Sequence, residues 1–375
     1  MHPASSTMSL KTFFNRYLPP LEAEMRAVVQ TSDPRYAGLF GMLRYHMGWA
    51  DAAFNPYQAR TGKRVRPVLC LLACEACGGD WEQALPAAAA LELMHNFSLI
   101  HNDIEDQDKT RRGRPTIWAL WGEAQAINAG DVLFALAQLA LLRLSERGAL
   151  SMPALSLSQE PALSLPALSG AEGSKGTMPA TTVVTALHLF NRTCLALTGG
   201  QYLDIGFESR DSISIADYLT MVEGKTGALV ACACEMGSLV AAAPDAQCKS
   251  LRTFGHHLGL AFQMRDDVLG IWGDPIVTGK PAGADIARRK KSLPILHGLE
   301  QSAELRALLA QETLSTADVH RATELLRETD SREYAEQLAQ EFHTQALAAL
   351  GQANLHGPAA LALRELAQML LSRER

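Results

Sequence analysis

Apolar residues recur with the period of an α-helix along most of the chain, with polar residues between them. Residues 85–93 and 133–142 are rich in Ala and Leu, a composition that favours helices over β-strands. Asp33 before Pro34 is typical of a helix N-terminus, and Asp80 after two glycines marks the boundary between two helices. The pattern therefore predicts an all-α protein of closely spaced helices with no strand.

Residues 148–179 break this pattern. The motif Pro-Ala-Leu-Ser begins at Pro153, Pro161 and Pro166, and a glycine-rich stretch follows it. Such low-complexity sequence predicts a disordered insertion between two helices. Because the helical pattern resumes unchanged after the insertion, we expect one domain over residues 1–375; a boundary between two domains is the alternative.

The composition is that of a globular protein with a large core, since 47% of the 375 residues are hydrophobic and 20% are charged. The net charge of −6 gives no general attraction to nucleic acid. The N-terminus lacks the features of a signal peptide, and we predict no membrane span, which needs roughly 20 apolar residues. The seven cysteines, an odd number, indicate free thiols and hence a cytoplasmic protein.

The densest polar cluster follows an apolar helix. Asn102 and Asp106 are one helical turn apart and Asp103 is adjacent, so their oxygens are able to converge on a hard cation such as Mg²⁺. Arg111 and Arg112 follow, and guanidinium groups suit the oxygens of a diphosphate. The cluster indicates a magnesium-bridged diphosphate site; a solvated helix end with ion pairs is the alternative.

A second acidic pair, Asp266 and Asp267, also ends an apolar helix. If this pair faces Asp103 and Asp106, the concentrated negative charge is costly without bound cations. Helix bundles commonly form metal sites from side chains on facing helices. The two pairs therefore predict a metal site to which both contribute.

Basic residues recur at Lys63, at Lys225 and over residues 280–291, without the glycine spacing of a Walker phosphate loop. Each segment alone is typical of a solvated surface, and only their combination indicates phosphate binding. Glu92 and His95 match half of a di-iron motif, but no second copy exists. His95 is therefore interpreted as a phosphate-facing donor or a core histidine.

Several motifs, taken in order, closely resemble those of the trans-isoprenyl diphosphate synthase family, also called polyprenyl synthetases. They are G-K-R-V-R-P, H-N-F-S-L-I-H-N-D-I-E-D with R-R-G-R-P, G-G-Q-Y-L-D, K-T-G-A-L, F-Q-M-R-D-D, and G-K-P-A-G-A-D with K-K-S-L-P. They extend from Gly62 to Pro294. The resemblance implies an all-α, isoprenoid synthase-type helix bundle with a central active-site cavity, usually as a homodimer.

The resemblance also implies roles for the residues at matching positions. Those implied to bind isopentenyl diphosphate are Lys63, Arg66, His95 and Arg112. Those implied to bind the allylic diphosphate are Arg111, Gln201, Lys225, Thr226, Gln263, Lys280 and Lys291, of which Arg111, Lys225, Gln263 and Lys291 are expected to be catalytic. The implied ligands of several magnesium ions, with Mn²⁺ as an alternative, are Asn102, Asp103, Asp106, Asp266 and Asp267.

The implied reaction suits these residue types. Mg²⁺, Lys and Arg neutralise the departing diphosphate, which leaves an allylic carbocation in an apolar pocket. The double bond of isopentenyl diphosphate attacks that cation, and a proton is then lost, in this family to the departed diphosphate. No protein nucleophile is needed, and the sequence carries no Ser-His-Asp or Cys-His signature.

Two positions depart from the family pattern. Asn102 stands where the first acidic motif usually begins with Asp, and Gly270 stands at the third acidic position of the second motif. Because Asn still offers an oxygen to Mg²⁺, we expect an active enzyme. The alternatives are a non-catalytic subunit of a heteromeric prenyl synthase and a terpene cyclase-like enzyme on the same fold.

Phe97 and Ser98 lie about one turn before the first acidic motif, where side chains form the floor beneath the growing chain in this family. A bulky Phe97 beside a small Ser98 resembles the short-chain synthases. The resemblance therefore implies geranylgeranyl diphosphate (C20) as the product, with farnesyl diphosphate (C15) as the next candidate. A phenylalanine in an ordinary helical core is the alternative.

Overall fold

The computed structural model describes residues 9–145, 178–210, 212–274 and 281–372, and nearly all regular structure within them is helical. The first helices are α1 (Leu10–Val28), α2 (Ala37–His46), α3 (Val65–Ala76), α4 (Leu85–Glu105), α5 (Ile117–Trp121), α6 (Glu123–Leu142), α7 (Ala180–Glu208) and α8 (Ile215–Val222). The next are α9 (Ala228–Val240), α10 (Asp245–Trp272), α11 (Ala284–Ala287), α12 (Leu293–Gln301), α13 (Ala303–Leu309), α14 (Thr316–Glu328), α15 (Ser331–Gln352) and α16 (Pro358–Leu371). The predicted all-α class is confirmed.

Short helical turns complete these elements. They are the 3₁₀ turns Pro34–Tyr36, Trp81–Ala84 and Arg143–Ser145, and the π-helical turn Glu223–Gly227. Two of the 3₁₀ turns begin where the sequence predicts a helix start. Asp33 accepts a hydrogen bond from the backbone N–H of Arg35 at 2.9 Å, and Asp80 accepts one from that of Glu82 at 3.0 Å.

The chain forms two compact units. Unit 1 comprises residues 1–191 and 236–243, and unit 2 comprises residues 192–235 and 244–375. The prediction of a single domain stays a prediction. The Pro-Ala-Leu-Ser insertion falls almost wholly on residues 146–177, which lie outside the described residues, as does Lys280.

Unit 1 is built around α4, which packs against α6, α3 and α1. Every residue of α4 from Leu85 to Met94 is buried, and small alanine side chains let neighbouring helices approach closely. At Gly130 of α6, a Cβ atom would lie 2.2 Å from Nε2 of His101 on α4. Glycine at this position leaves the room that the His101 imidazole occupies between α4 and α6.

A two-residue hairpin in unit 1 was not predicted from the sequence. Strand β1 (Thr110–Arg111) pairs antiparallel with β2 (Arg114–Pro115), and the two turn residues, Arg112 and Gly113, have φ values of 53° and 78°. Two positive φ values are typical of the tight turns that join antiparallel strands. The hairpin fixes two consecutive arginines at one short turn.

Unit 2 is built around α10, which packs most extensively against α15. One buried cluster joins these helices through residues that include Leu260, Met264, Ala335 and Ala339. A second cluster joins the end of α10 to α11, α12, α13 and α14. The end of α10, where the second acidic motif lies, is therefore held by packing on several sides.

Among the described residues, Glu123–Ser145 is the helical segment long and apolar enough to cross a membrane. Its buried residues recur every three or four positions, as at Ala126, Ala129 and Leu133, which is typical of a helix with one face in a protein core. The prediction that no segment spans a membrane stays a prediction.

Candidate active site

A buried ion pair organises the basic residues of unit 1. Arg64 is 4% exposed, and its guanidinium lies 2.6 Å from a carboxylate oxygen of Glu92 and 3.0 Å from one of Glu22. Its backbone is left-handed, with a φ value of 52°, directly before α3 begins. Arg64 thus ties the start of α3 to α1 and α4, while Lys63 beside it is exposed.

Arg66 and His95, both predicted site residues, are in contact. Arg66 Nη1 lies 3.3 Å from His95 Nε2. Burial, followed by the charges of Arg66, Arg112 and Arg111, holds the pKa of His95 well below its ordinary value of 6.5. His95 is therefore a neutral imidazole at neutral pH, surrounded by guanidinium groups.

Arg112 lies at the hairpin turn, and its guanidinium packs over Gly62. A Cβ atom at Gly62 would lie 2.8 Å from Arg112 Nη2, so glycine leaves the room that this guanidinium occupies. Four guanidinium groups act on the pKa of His95: those of Arg64, Arg66, Arg111 and Arg112. The structure thus brings together the four residues Arg66, His95, Arg111 and Arg112 that the sequence analysis singled out.

His46 and Arg60 were missed by the sequence analysis. Together with Arg111, Arg112 and Asp103, they line a small pocket of about 30 Å³. Burial and the charges of Arg112 and Arg111 lower the pKa of His46 to about 3. Its Nε2 atom is buried without a hydrogen-bond partner among the described residues. No motif marks His46, since it ends an otherwise ordinary apolar helix.

The three residues of the first acidic motif differ in exposure. Asp106 is exposed, Asn102 is partly exposed, and Asp103 is buried. Asp103 accepts a hydrogen bond of 2.6 Å from Nε of Arg111. Burial nevertheless raises the pKa of Asp103 to about 6 against the opposing effect of Arg111, and the charges of Asp108 and Asp106 add to this rise.

In the second acidic motif, Asp267 is a buried hydrogen-bond acceptor. Its Oδ2 accepts from the Tyr218 hydroxyl at 2.6 Å and from the backbone N–H of Leu293 at 3.0 Å. Its Oδ1 accepts from Gln263 Nε2 at 3.0 Å. Asp266, next to it in the chain, is exposed. The two adjacent aspartates therefore have different environments, one saturated with donors and the other open to solvent.

Lys290 lies against this motif, one position before the predicted Lys291. Its ammonium nitrogen is 3.5 Å from Asp267 Oδ1 and 3.6 Å from Asp285 Oδ2. Although burial opposes its charge, Asp267 and Asp285 raise the pKa of Lys290 above its ordinary value. The segment K-K-S-L-P contains two adjacent lysines, and nothing in the sequence predicts which of them contacts the acidic motif. Lys291 is partly exposed, and its predicted role stays a prediction.

The remaining predicted residues of unit 2 lie around the π-helical turn. Lys225 forms an ion pair with Asp204 of α7, and Thr226 donates a hydrogen bond of 2.9 Å to Gln263 Oε1. A Cβ atom at Gly200 would lie 2.1 Å from the backbone N of Lys225. This glycine lets α7 contact the turn, and Gln201 beside it is buried. Asp204 was missed, although it ends the G-G-Q-Y-L-D motif.

Phe97 belongs to a row of aromatic rings in unit 1. Its ring centroid is 5.2 Å from that of Phe134 on α6, which is 6.4 Å from that of Phe190 on α7. Ser98 donates a hydrogen bond of 2.8 Å to the backbone oxygen of His95. The sequence singled out Phe97 but gave no indication that two further phenylalanines from distant segments would line up with it.

The donors of the acidic motifs are oxygen atoms, which suit Mg²⁺. Among the described residues, no group of three or more His, Cys, Asp or Glu side chains is able to hold a metal ion by itself. Mg²⁺ in proteins is commonly held by one or two carboxylates and completes its coordination with substrate phosphates and water. The residues therefore fit magnesium that is bound together with a diphosphate. Since Asp103 and Asp106 lie in unit 1 and Asp266 and Asp267 in unit 2, the predicted pairing of the two motifs stays a prediction.

These features define a helical protein in which unit 1 carries a cluster of guanidinium groups and each unit carries an acidic motif. A family model described as polyprenyl synthetase matches residues 48–326. The chain is 39% identical over 346 residues to a geranylgeranyl diphosphate synthase of Mycobacterium tuberculosis, an alignment that covers 91% of this chain and 88% of the relative. The chain therefore belongs to the polyprenyl synthetase family.

Other similarities agree with this assignment. The chain is 36% identical over 341 residues to a (2E,6E)-farnesyl diphosphate synthase of Mycobacterium bovis, covering 89% of this chain and 86% of the relative. A crystal structure of a polyprenyl synthetase from Streptomyces coelicolor A3(2) matches with a TM-score of 0.83 at 33% identity, covering 97% of this chain and 100% of that one. The predicted isoprenoid synthase-type fold is thus confirmed.

The lowered pKa of His46 predicts that acid destabilises the protein. Folded His46 stays neutral down to about pH 3, whereas in the unfolded chain it gains a proton below about pH 6.5. The unfolded state then binds more protons, so the free energy of unfolding falls as the pH drops below 6.5, by at most about 1.4 kcal/mol per pH unit from this residue. Replacing His46→Asn removes that contribution, as urea unfolding at pH 7, 6 and 5 would measure.

The matched control is His320→Asn, because His320 is exposed on α14. We expect this variant to keep the pH dependence of the wild-type protein. An unchanged slope in the His46→Asn variant would contradict the assignment of His46 as a buried neutral imidazole.

Proposed function

We propose that the protein is a magnesium-dependent prenyltransferase that condenses isopentenyl diphosphate with an allylic diphosphate, with geranylgeranyl diphosphate (C20) as its product. The observation that carries the proposal is the cluster of Arg66, Arg111 and Arg112 around neutral His95. Three guanidinium groups around one neutral imidazole are suited to a polyanion. Membership of the polyprenyl synthetase family and similarity to a geranylgeranyl diphosphate synthase support it.

The diphosphate of isopentenyl diphosphate is proposed to bind Lys63, Arg66, His95 and Arg112. Arg64 is excluded from this role because Glu92 and Glu22 already neutralise it. The contact with His95 orients the guanidinium of Arg66, and the hairpin turn holds Arg112 in place. Because these groups are held before the substrate arrives, little conformational freedom is lost when it binds.

The allylic diphosphate is proposed to bind Arg111, Lys225, Lys291, Thr226, Gln263, Gln201 and Lys280. Magnesium ions held by Asn102, Asp103, Asp106, Asp266 and Asp267 would neutralise charge on the leaving diphosphate, with Mn²⁺ as a possible substitute. Arg111 and Lys225 are each paired with an aspartate, which fixes their positions. Both keep partly exposed side chains, so they remain accessible to a phosphate oxygen.

The proposed reaction proceeds in three steps. The bond between C1 and oxygen of the allylic diphosphate breaks, and its electron pair leaves with the diphosphate. The double bond of isopentenyl diphosphate then forms the new carbon–carbon bond to C1. A proton is finally lost from the adjacent carbon to the released diphosphate. The role of the chain is to orient both substrates, stabilise the departing charge and exclude water.

The first prediction is the activity itself. Purified protein with Mg²⁺ and labelled isopentenyl diphosphate is expected to elongate dimethylallyl, geranyl and farnesyl diphosphates to a C20 product, resolved by chain length. Replacing Asn102→Asp tests the departure in the first acidic motif and is expected to retain elongation. If neither protein incorporates isopentenyl diphosphate with any primer, a non-catalytic subunit or a terpene cyclase-like enzyme becomes the better assignment.

The product length is proposed to be set by Phe97, with Phe134 and Phe190 behind it and Ser98 beside it. We expect Phe97→Ala to shift the main product beyond C20, because the side chain no longer closes the path of the growing chain. Product chromatography measures this shift. Leu99→Ala is the matched control, since it truncates a side chain two residues further along α4 and about 200° around it. If the Phe97→Ala variant still makes the C20 product, a different residue limits the length of the growing chain.

We further propose that the enzyme is a cytoplasmic homodimer. No two cysteines in the part of the chain that the structure describes are joined by a disulfide bond, which suits a reducing compartment. Within unit 2, helix α7 exposes Leu195 and Tyr202, each at 75%. Their spacing of 7 residues places the two side chains on one face of α7. An exposed apolar stripe of this kind is typical of a subunit interface.

If α7 forms the dimer interface, a charge on its exposed face weakens association. Tyr202→Asp is expected to convert the dimer to a monomer at micromolar concentration, as light scattering after gel filtration would measure. Leu361→Asp on α16 is the control, because Leu361 is also exposed (57%) but lies on another helix. A Tyr202→Asp protein that remains dimeric would exclude this face.

A further inference from the structure

A tyrosine that lies outside the sequence motifs contacts the second acidic motif. Tyr218 lies on α8 and is 1% exposed, and its hydroxyl donates a hydrogen bond of 2.6 Å to Asp267 Oδ2. A hydrogen bond this short between a hydroxyl and a carboxylate belongs to the strong, charge-assisted class. Because Tyr218 is buried, its effect on a bound ligand must pass through the groups that it holds.

Asp267 joins Tyr218 to two further groups of unit 2. Its Oδ1 accepts a hydrogen bond from Gln263, one turn earlier on α10, and its Oδ2 also accepts one from the backbone N–H of Leu293, the first residue of α12, both at 3.0 Å. Both carboxylate oxygens are therefore engaged. In such a network a change in one hydrogen bond alters the others, because all of them share one acceptor group.

The helix that carries the tyrosine leads directly into the π-helical turn that carries Lys225. Helix α8 ends at Val222, and the turn follows it without a break. Thr226 of the turn donates a hydrogen bond of 2.9 Å to Gln263 Oε1, and Gln263 itself donates to Asp267. The segment from α8 through the turn is therefore joined to Asp267 twice, once on each side of Lys225.

The segment before α12 is fixed by the same carboxylate. Lys291 lies two residues before Leu293, whose N–H donates to Asp267, and both Ser292 and Leu293 are fully buried. Lys225 and Lys291, both assigned to the allylic diphosphate in the proposed function, thus lie on segments that share Asp267 as an anchor. Asp267 is therefore placed to hold two basic segments in a fixed position relative to the acidic motif.

We propose that Tyr218 is a positioning residue of the allylic diphosphate site. Its hydrogen bond to Asp267 ties α8 and the π-helical turn to the end of α10, from which Asp266 faces solvent. Lys225 and Asp266 then keep one relative position before a diphosphate and its metal ions arrive, which reduces the conformational freedom lost on binding. This inference rests on the proposed function, in which the second acidic motif binds magnesium together with a diphosphate.

Tyr218→Phe removes the hydroxyl and keeps the ring in the core, and Asp267 keeps its other donors. We expect this variant to fold and to bind Mn²⁺ about fivefold more weakly in the presence of inorganic diphosphate, because Lys225 and Asp266 are no longer held together. Electron paramagnetic resonance of Mn²⁺ measures the affinity without turnover. In elongation assays, we expect the KM for the allylic diphosphate to rise about fivefold. The KM for isopentenyl diphosphate, whose proposed ligands lie in unit 1, is expected to stay unchanged.

A double-variant cycle tests whether Tyr218 acts through Asp267. Asp267→Asn keeps the shape of the side chain but removes its charge, and we expect it to weaken Mn²⁺ binding about tenfold. In this background, the further change Tyr218→Phe is expected to weaken Mn²⁺ binding less than about twofold, because the charge that the hydroxyl holds is already gone.

The matched control is Tyr334→Phe. Tyr334 lies on α15 in the same unit, its ring stacks on that of His297, and its hydroxyl makes no hydrogen bond among the described residues. We expect this variant to keep the wild-type Mn²⁺ affinity, which separates a local effect from the general loss of a tyrosine hydroxyl. Thermal unfolding of each variant establishes that it is folded.

Two results would overturn the inference. One is a folded Tyr218→Phe protein with wild-type Mn²⁺ affinity and KM values, even with a lower kcat, since a merely structural hydrogen bond changes only the amount of active protein. The other is a fivefold loss of affinity that persists in the Asp267→Asn background. Both differ from failure of the proposed function, which appears as a wild-type protein without elongation activity. If the wild-type protein binds no Mn²⁺ with diphosphate, the inference fails as well.

Discussion

The basic site depends on one constraint: a charge placed inside the core must be neutralised there. Glu92 lies on the most deeply buried part of α4, where an unpaired carboxylate would be prohibitively costly. Arg64 neutralises it at 2.6 Å, and Asn96 donates a further hydrogen bond of 3.0 Å to the same carboxylate oxygen. Because Arg64 is committed to this role, the basic residues on either side of it, Lys63 and Arg66, are the ones left for a ligand. One buried acid thus decides which arginine of G-K-R-V-R-P is taken up by the core.

Unit 2 follows the same rule at a second buried carboxylate. Asp267 is buried, and hydrogen bonds from Tyr218, Gln263 and the backbone of Leu293 satisfy its carboxylate. Such a carboxylate is a rigid anchor at the end of α10. Asp266, adjacent and exposed, is presented by a helix end that cannot shift without breaking these bonds. The paired aspartates of the motif therefore divide into one that fixes the geometry and one that faces solvent.

The sequence predicts the helical fold well because that fold follows from local periodicity and capping, as at Asp33 and Asp80. It also predicts that Arg66, His95 and Arg112 are neighbours. That prediction comes only from the family resemblance, which implies that all three bind the same diphosphate. What it does not predict are contacts set by tertiary packing. Phe97 packs against Phe134, and His46 lines a pocket with Arg111 and Arg112, although these residues are far apart in the chain. The choice between Lys290 and Lys291 depends on the backbone course after α11, which no local pattern encodes.

Four glycines lie in close contact with other groups of the protein. Gly62, Gly130, Gly200 and Gly270 do not have the left-handed backbone that usually explains the residue. Each instead lies where a Cβ atom would meet a specific partner: Arg112, His101, the backbone of Lys225, and Asp285, respectively. A glycine in a sequence usually suggests a flexible backbone. Each of these four instead lies in close contact with a neighbouring group of the folded protein. A side chain at any of them would displace a group that is charged, aromatic or part of the main chain. Three of these four glycines therefore lie against a charged or imidazole side chain, and Gly200 lies against the main chain of the π-helical turn.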